Sequence, residues 1–104
     1  MASVAPTTKI KLELSTDDEL ERKFIAALCS VYPSGMRAYE IMRAIGMAAP
    51  MIRDAGVVRC KNPSAFISFC ALRTRVDRAI LPLGWQAKRE GGSIVDKYRL
   101  VPVF

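Results

Sequence analysis

Apolar residues recur along this chain at two different periods, and the switches between them mark out its elements. Lys9-Ile10-Lys11-Leu12-Glu13-Leu14 alternates charged and apolar residues, which predicts a short half-buried strand. Leu20, Phe24, Ala27, Leu28 and Val31 then return every three or four residues, predicting an amphipathic helix over 16–31. Ser15 or Thr16 is its expected cap, and Asp17, Asp18 and Glu19 suit its positive end. Tyr32-Pro33-Ser34-Gly35 stops it. A second helix is expected over 36–45, with Ile41, Met42 and Ile45 inward and Gly46 closing it. Residues 47–62 read as a long connection, with a short helical turn opened by Pro50 and a loop or short strand over 57–61.

Asn62-Pro63 is a helix start, and the third helix is expected to run over 63–81, ended by Pro82 and Gly84. Ala65, Phe69, Leu72, Val76 and Ile80 form its inward stripe. The opposite face carries Ser64, Ser68, Ala71, Thr74, Arg75 and Arg78, with Ile67 its one large apolar member. Trp85 to Glu90 and Ser93 to Val101 then flank Gly91-Gly92, which predicts a hairpin over 85–101 with a two-residue turn, Lys88 and Arg89 near the tip, and Ile94, Tyr98 and Leu100 inward.

Composition sets these elements in a globular frame. Of 104 residues, 51% are hydrophobic and 25% charged, which suits one domain over 9–104 behind a flexible tail at 1–8. No apolar run approaches the ~18 residues of a membrane span, and the N-terminus lacks the pattern of a secretory signal, so the expected location is cytoplasmic. Three cysteines without paired spacing fit a reducing compartment. With no histidine and no Cys-x-x-Cys, neither a metal nor another cofactor is expected. The missing histidine also removes the commonest general base, no glycine-rich phosphate loop is present, and the acidic cluster at 17–19 is explained by a helix start, so catalysis is not expected.

Charge changes the picture more. Residues 1–50 hold six basic and six acidic side chains, whereas 51–104 hold ten basic and four acidic, so the whole excess of +6 lies in the second half. Such asymmetry points to a polyanion partner.

Strand, three helices and a terminal hairpin, in that order, predict an α+β winged helix-turn-helix. An α-helix fits the roughly 12 Å major groove of DNA, and a hairpin wing reaches the neighbouring backbone. The candidate double-stranded DNA contacts are Lys61, Ser64, Ser68, Arg73, Thr74, Arg75 and Arg78 on or beside the third helix, and Lys88, Arg89 and Lys97 on the hairpin.

Ala71-Leu72-Arg73-Thr74-Arg75-Val76-Asp77 resembles the A-L-R-R-K-L-D stretch late in the recognition helix of OmpR/PhoB-type response-regulator effector domains. Tyr98-Arg99-Leu100 is similar to that family's G-Y-R-L ending, and Leu14-Ser15-Thr16 more weakly resembles its L-T-x-x-E-F entry. The resemblance implies a transcription regulator, with an RNA polymerase surface in the connection at 47–62. The chain departs from the family in having no receiver domain and only one candidate N-terminal strand. Ser68, Cys70 and Ala71 also stand where family members often place Arg or His, and small side chains cannot make a bidentate contact to guanine. The alternative is a winged-helix module that binds polymerase or another regulator instead of DNA. The methionines Met36, Met42, Met47 and Met51 suit either an adaptable surface or core filling. A homodimer, if formed, would use the hairpin, the first strand or the 47–62 connection.

Overall fold

The computed structural model describes residues 4–47, 51–54, 57–60, 63–91 and 96–103. Its first element is a helix, α1 (Pro6–Glu13), in place of both the expected strand and the end of the expected tail. Pro6 sits in the first turn, where its missing N–H costs nothing, and the Ser15 hydroxyl donates to the Leu12 carbonyl beyond the other end. Alternation would place Ile10, Leu12 and Leu14 on one side, but the helix separates them. Leu12 is fully buried against the core, and Ile10 and Leu14 are 56% and 69% exposed.

Helix α2 (Glu19–Val31) begins later than expected because Asp18, not Ser15 or Thr16, is its cap: the Glu21 N–H donates to Asp18 Oδ1 at 2.9 Å. Thr16 supports the cap from behind, accepting from the Asp18 N–H and donating its hydroxyl to Glu21 Oε1.

The second expected helix is shorter, because Met36–Arg37 is a strand, β1, and helix α3 covers Ala38–Ala44. Gly46, at φ +84°, closes α3 as expected: its N–H reaches Arg43 O and the Met47 N–H reaches Met42 O, the paired bonds of a left-handed helix stop. The connection at 47–62 contains an antiparallel ribbon: β2 (Met51–Asp54) stands where a short helical turn is expected over 47–56, and β3 (Val57–Cys60) takes the strand alternative of the loop or short strand expected over 57–61. Pro50, Lys61 and Asn62 lie outside the described residues.

Helix α4 (Pro63–Ile80) ends in a 3-10 turn at Leu81–Leu83, which Gly84 stops at φ +86°. Strands β4 (Trp85–Arg89) and β5 (Lys97–Pro102) follow. Their register pairs Arg89 with Tyr98 and Ala87 with Leu100, and the Glu90 N–H reaches Lys97 O. That register excludes a two-residue turn at Gly91-Gly92, which would pair residue 90 with 93; the connection spans 91–96. Residues 92–95, Ile94 among them, lie outside the described residues.

Strand β1 joins the hairpin on its far side, with Met36 opposite Tyr98, giving a three-stranded antiparallel sheet in the order β1-β5-β4. Helices and sheet together make an α+β fold. One sheet face supplies Ala87, Tyr98 and Leu100 to the core. They meet Phe24, Ile25 and Leu28 of α2, Ile41 and Met42 of α3, and Phe69, Leu72, Val76 and Ile80 of α4. Phe69 is the hub, with ring centroids 5.4 Å from both Phe24 and Tyr98. Met42 is fully buried, and Met36 and Met47 pack against this core, so these methionines fill space. Trp85 meets Tyr32 edge-on at 5.5 Å. Among the described residues no helix is long and apolar enough to cross a membrane.

Candidate nucleic-acid interface

The exposed face of α4 is as its periodicity predicts: Ser64, Ser68, Ala71, Thr74, Arg75 and Arg78 reach solvent, and Ile67 is 68% exposed. Its arginines differ in what holds them. Arg73 turns toward the sheet, where it meets Asp77 Oδ2 at 2.6 Å and the Ala87 carbonyl at 3.4 Å. Arg75 turns toward α2, with Nε 3.5 Å from Glu21 Oε2. Thr74 donates its hydroxyl back to the Cys70 carbonyl, within the helix. Among the described residues no ion pair involves Arg78, Lys88 or Lys97. The candidates on α4 therefore do not form one uninterrupted row of cations, and Lys61 lies outside the described residues.

A denser group lies on the sheet. Residues directly opposite in an antiparallel ladder share a face. The register sets Arg37 opposite Lys97 and Lys88 opposite Arg99. Lys97 and Arg99, two apart on β5, share the face away from the buried Tyr98 and Leu100. Four cations from three strands thus project from the outer side of the sheet, as two directly opposed like-charged pairs. Glu90 meets Arg99 at 2.6 Å, and Arg37 also takes part in an interaction within the fold. Arg89 is placed otherwise: opposite Tyr98, it lies on the core side at the solvent edge.

Lys88 and Lys97 were expected from sequence, whereas Arg37 and Arg99 were not. The missing signal was β1, a two-residue strand too short to show alternation, whose pairing alone brings Arg37 beside Lys97. Arg99 lies within the family-like Tyr98-Arg99-Leu100 ending, a pattern that does not single it out as a contact.

Ionisation near the site follows burial. Asp77 is held above its ordinary 3.8 by burial, against the pull of the Ala87 N–H and of Arg73. The Tyr98 phenol is also raised, by burial and then by the neighbouring Cys70, with Arg89 and Arg73 pulling the other way. Among the described residues no cluster of acids and cysteines has the makings of a metal site. The chain matches no family model, no curated protein and no solved structure.

Proposed function

We propose that this protein is a winged-helix DNA-binding domain whose sheet face supplies a large share of the phosphate contacts. The observation that carries the reading is the pair of like-charged oppositions, Arg37 with Lys97 and Lys88 with Arg99, on one outward face. Like charges set directly opposite are unfavourable to the fold, the second pair being eased by Glu90 beside Arg99, and a polyanion laid across the strands gains from the same concentration of positive charge.

The order α1, α2, β1, α3, β2, β3, α4, β4, β5, with β1 paired to β5, supports a winged helix in which the β2–β3 ribbon is inserted between the two helices of the helix-turn-helix. In it α4 serves as the groove helix and β4–β5 as the wing. Ser64, Ser68 and Thr74 then face the groove and Arg78 the backbone. Small side chains read bases weakly, so phosphates set most of the affinity and sequence preference is modest. The OmpR/PhoB-like stretches 71–77 and 98–100 add that the domain regulates transcription.

The test is fluorescence anisotropy of two unrelated duplexes at two salt concentrations. Micromolar or tighter binding that weakens steeply with salt, and similarly for both sequences, is expected. Undetectable binding at low salt would overturn it.

A second reading, a protein-interaction module, has its own observation: Ile67, 68% exposed, amid Ser64, Ser68 and Ala71 on an otherwise small-residue face. RNA polymerase, met through 47–62, or another regulator would then be the partner. Retention of a partner at fixed stoichiometry, with no DNA retained, would favour it.

A further inference from the structure

Between α2 and α4 lies an open depression of about 290 Å³, lined by Glu21, Arg75, Arg78 and Ala79. Glu21 is its least exposed charged group: the side chain is 11% exposed, against 50% for Arg75. The carboxylate is fixed from below. Its Oε1 accepts from the Thr16 hydroxyl at 3.1 Å, and its residue is locked into the α2 cap by Asp18. Its Oε2 faces Arg75, and the closest approach is through Nε.

That geometry has a consequence for the guanidinium. With Nε 3.5 Å from a fixed carboxylate, an ion-pair contact and not a hydrogen bond, the guanidinium is drawn toward α2 and its two terminal amino groups are the part left for a ligand. A planar fork held in this way suits two oxygens of one phosphate. Arg78, one turn further along α4 and on the same depression, brings a second guanidinium. Two guanidiniums and one carboxylate leave a single positive charge, which matches a monoanionic phosphodiester better than a dianionic phosphate monoester.

We propose that this depression seats one phosphodiester of bound DNA, with Arg75 and Arg78 as its donors and Glu21 as the residue that positions Arg75. This inference rests on the DNA-binding reading and gives it a second phosphate contact, apart from the sheet face. Ion pairs exposed to this degree are weak on their own, so the role of Glu21 is orientation of the fork more than stability.

The test is anisotropy of one labelled duplex with the protein and its variants, with thermal unfolding followed on each. Arg75→Ala and Arg78→Ala should each weaken binding about three- to tenfold and lower the slope of log affinity against log salt by about one. Glu21→Ala should weaken binding about as much as Arg75→Ala, and the double variant no more than Arg75→Ala alone. Glu21→Gln, which keeps an acceptor oxygen, should recover most of that loss. If Glu21→Ala does not fold, the Glu21→Gln and arginine variants still decide the matter. Unchanged or tighter binding by Glu21→Ala, or additive losses in the double variant, would overturn the positioning role. Losses in Lys88→Ala and Lys97→Ala with none in the arginine variants would overturn the seat and leave the sheet reading standing; no binding by the parent protein would remove both.

Discussion

Asp77 Oδ1 accepts a hydrogen bond from the Ala87 backbone N–H at 2.6 Å, tying the middle of α4 to the outer strand of the sheet. Arg73, one helical turn earlier, grips the other oxygen of Asp77 and reaches the Ala87 carbonyl. Both backbone groups of Ala87 are thus occupied at the open edge of the sheet, where unpaired groups would otherwise invite another strand. Asp77→Ala should cost about 1–3 kcal/mol, because it strands a backbone N–H and a half-buried guanidinium together. Asp77→Asn, which keeps an acceptor, should cost less. Urea denaturation of the two variants checks the order; a loss below 0.5 kcal/mol for Asp77→Ala would contradict it.

The same carboxyl titrates late. Burial raises Asp77 above 3.8, more than the Ala87 N–H and Arg73 lower it. The folded state therefore holds this proton more tightly than the unfolded state does. The contribution of the group to stability is full below pH 3.8 and is lost as pH rises through its folded value. An NMR titration of the Asp77 carboxyl should give a midpoint above 3.8; a midpoint at or below it would show that the arginine outweighs burial.

Cys29 offers a second pH signature. Burial, then the charge of Glu13, pushes its thiol from 9.0 to about 11, against a smaller pull from Lys9. At neutral pH it should react with a thiol reagent far more slowly than the half-exposed Cys70, as mass spectrometry of the labelled sites would show. Its contribution to stability is full below pH 9.0 and is lost as pH rises toward 11. Cys29→Ala should therefore flatten stability over that window. Equal labelling of Cys29 and Cys70 would contradict the burial.

Gly35 holds β1 against the hairpin. A Cβ there would lie 2.8 Å from the Tyr98 carbonyl oxygen, a backbone atom with no room to retreat. Gly35→Ala should push β1 off β5, cost about 1–3 kcal/mol and separate Arg37 from Lys97. Amide exchange at Met36 and at Ala38, whose N–H donates to the Asp96 carbonyl, should quicken; protection equal to the parent protein would show that β1 tolerates the methyl group.

Much of this fold was legible in the sequence. The α4 stripe of Phe69, Leu72, Val76 and Ile80 is buried as its spacing requires, and Gly46 and Gly84 stop helices where the chain needs a left-handed residue. What was not legible depended on partners distant in the chain. Ile10, Leu12 and Leu14 alternate as a strand would, but among the described residues no strand lies beside them to pair with, and of the three Leu12 alone is buried in the core. The glycine pair at 91–92 suggested a tight turn, while the facing positions of Ala87 and Leu100 set a different register. At the candidate site, the arginines of α4 were visible but not their acidic partners, since Glu21 is far from Arg75 in sequence. The opposition of Arg37 and Lys97 needs β1, and two residues carry no period.

Those oppositions allow a direct test, in which one substitution should move stability and DNA affinity in opposite directions. Lys97→Gln removes one member of the Arg37–Lys97 pair and leaves the backbone bond from Glu90 to residue 97 intact. The expected result is a fold as stable as the parent or steadier by roughly 0.2–1 kcal/mol, with duplex affinity reduced and a shallower salt dependence. A less stable fold with unchanged DNA affinity would contradict the assignment of the outer sheet face to nucleic acid.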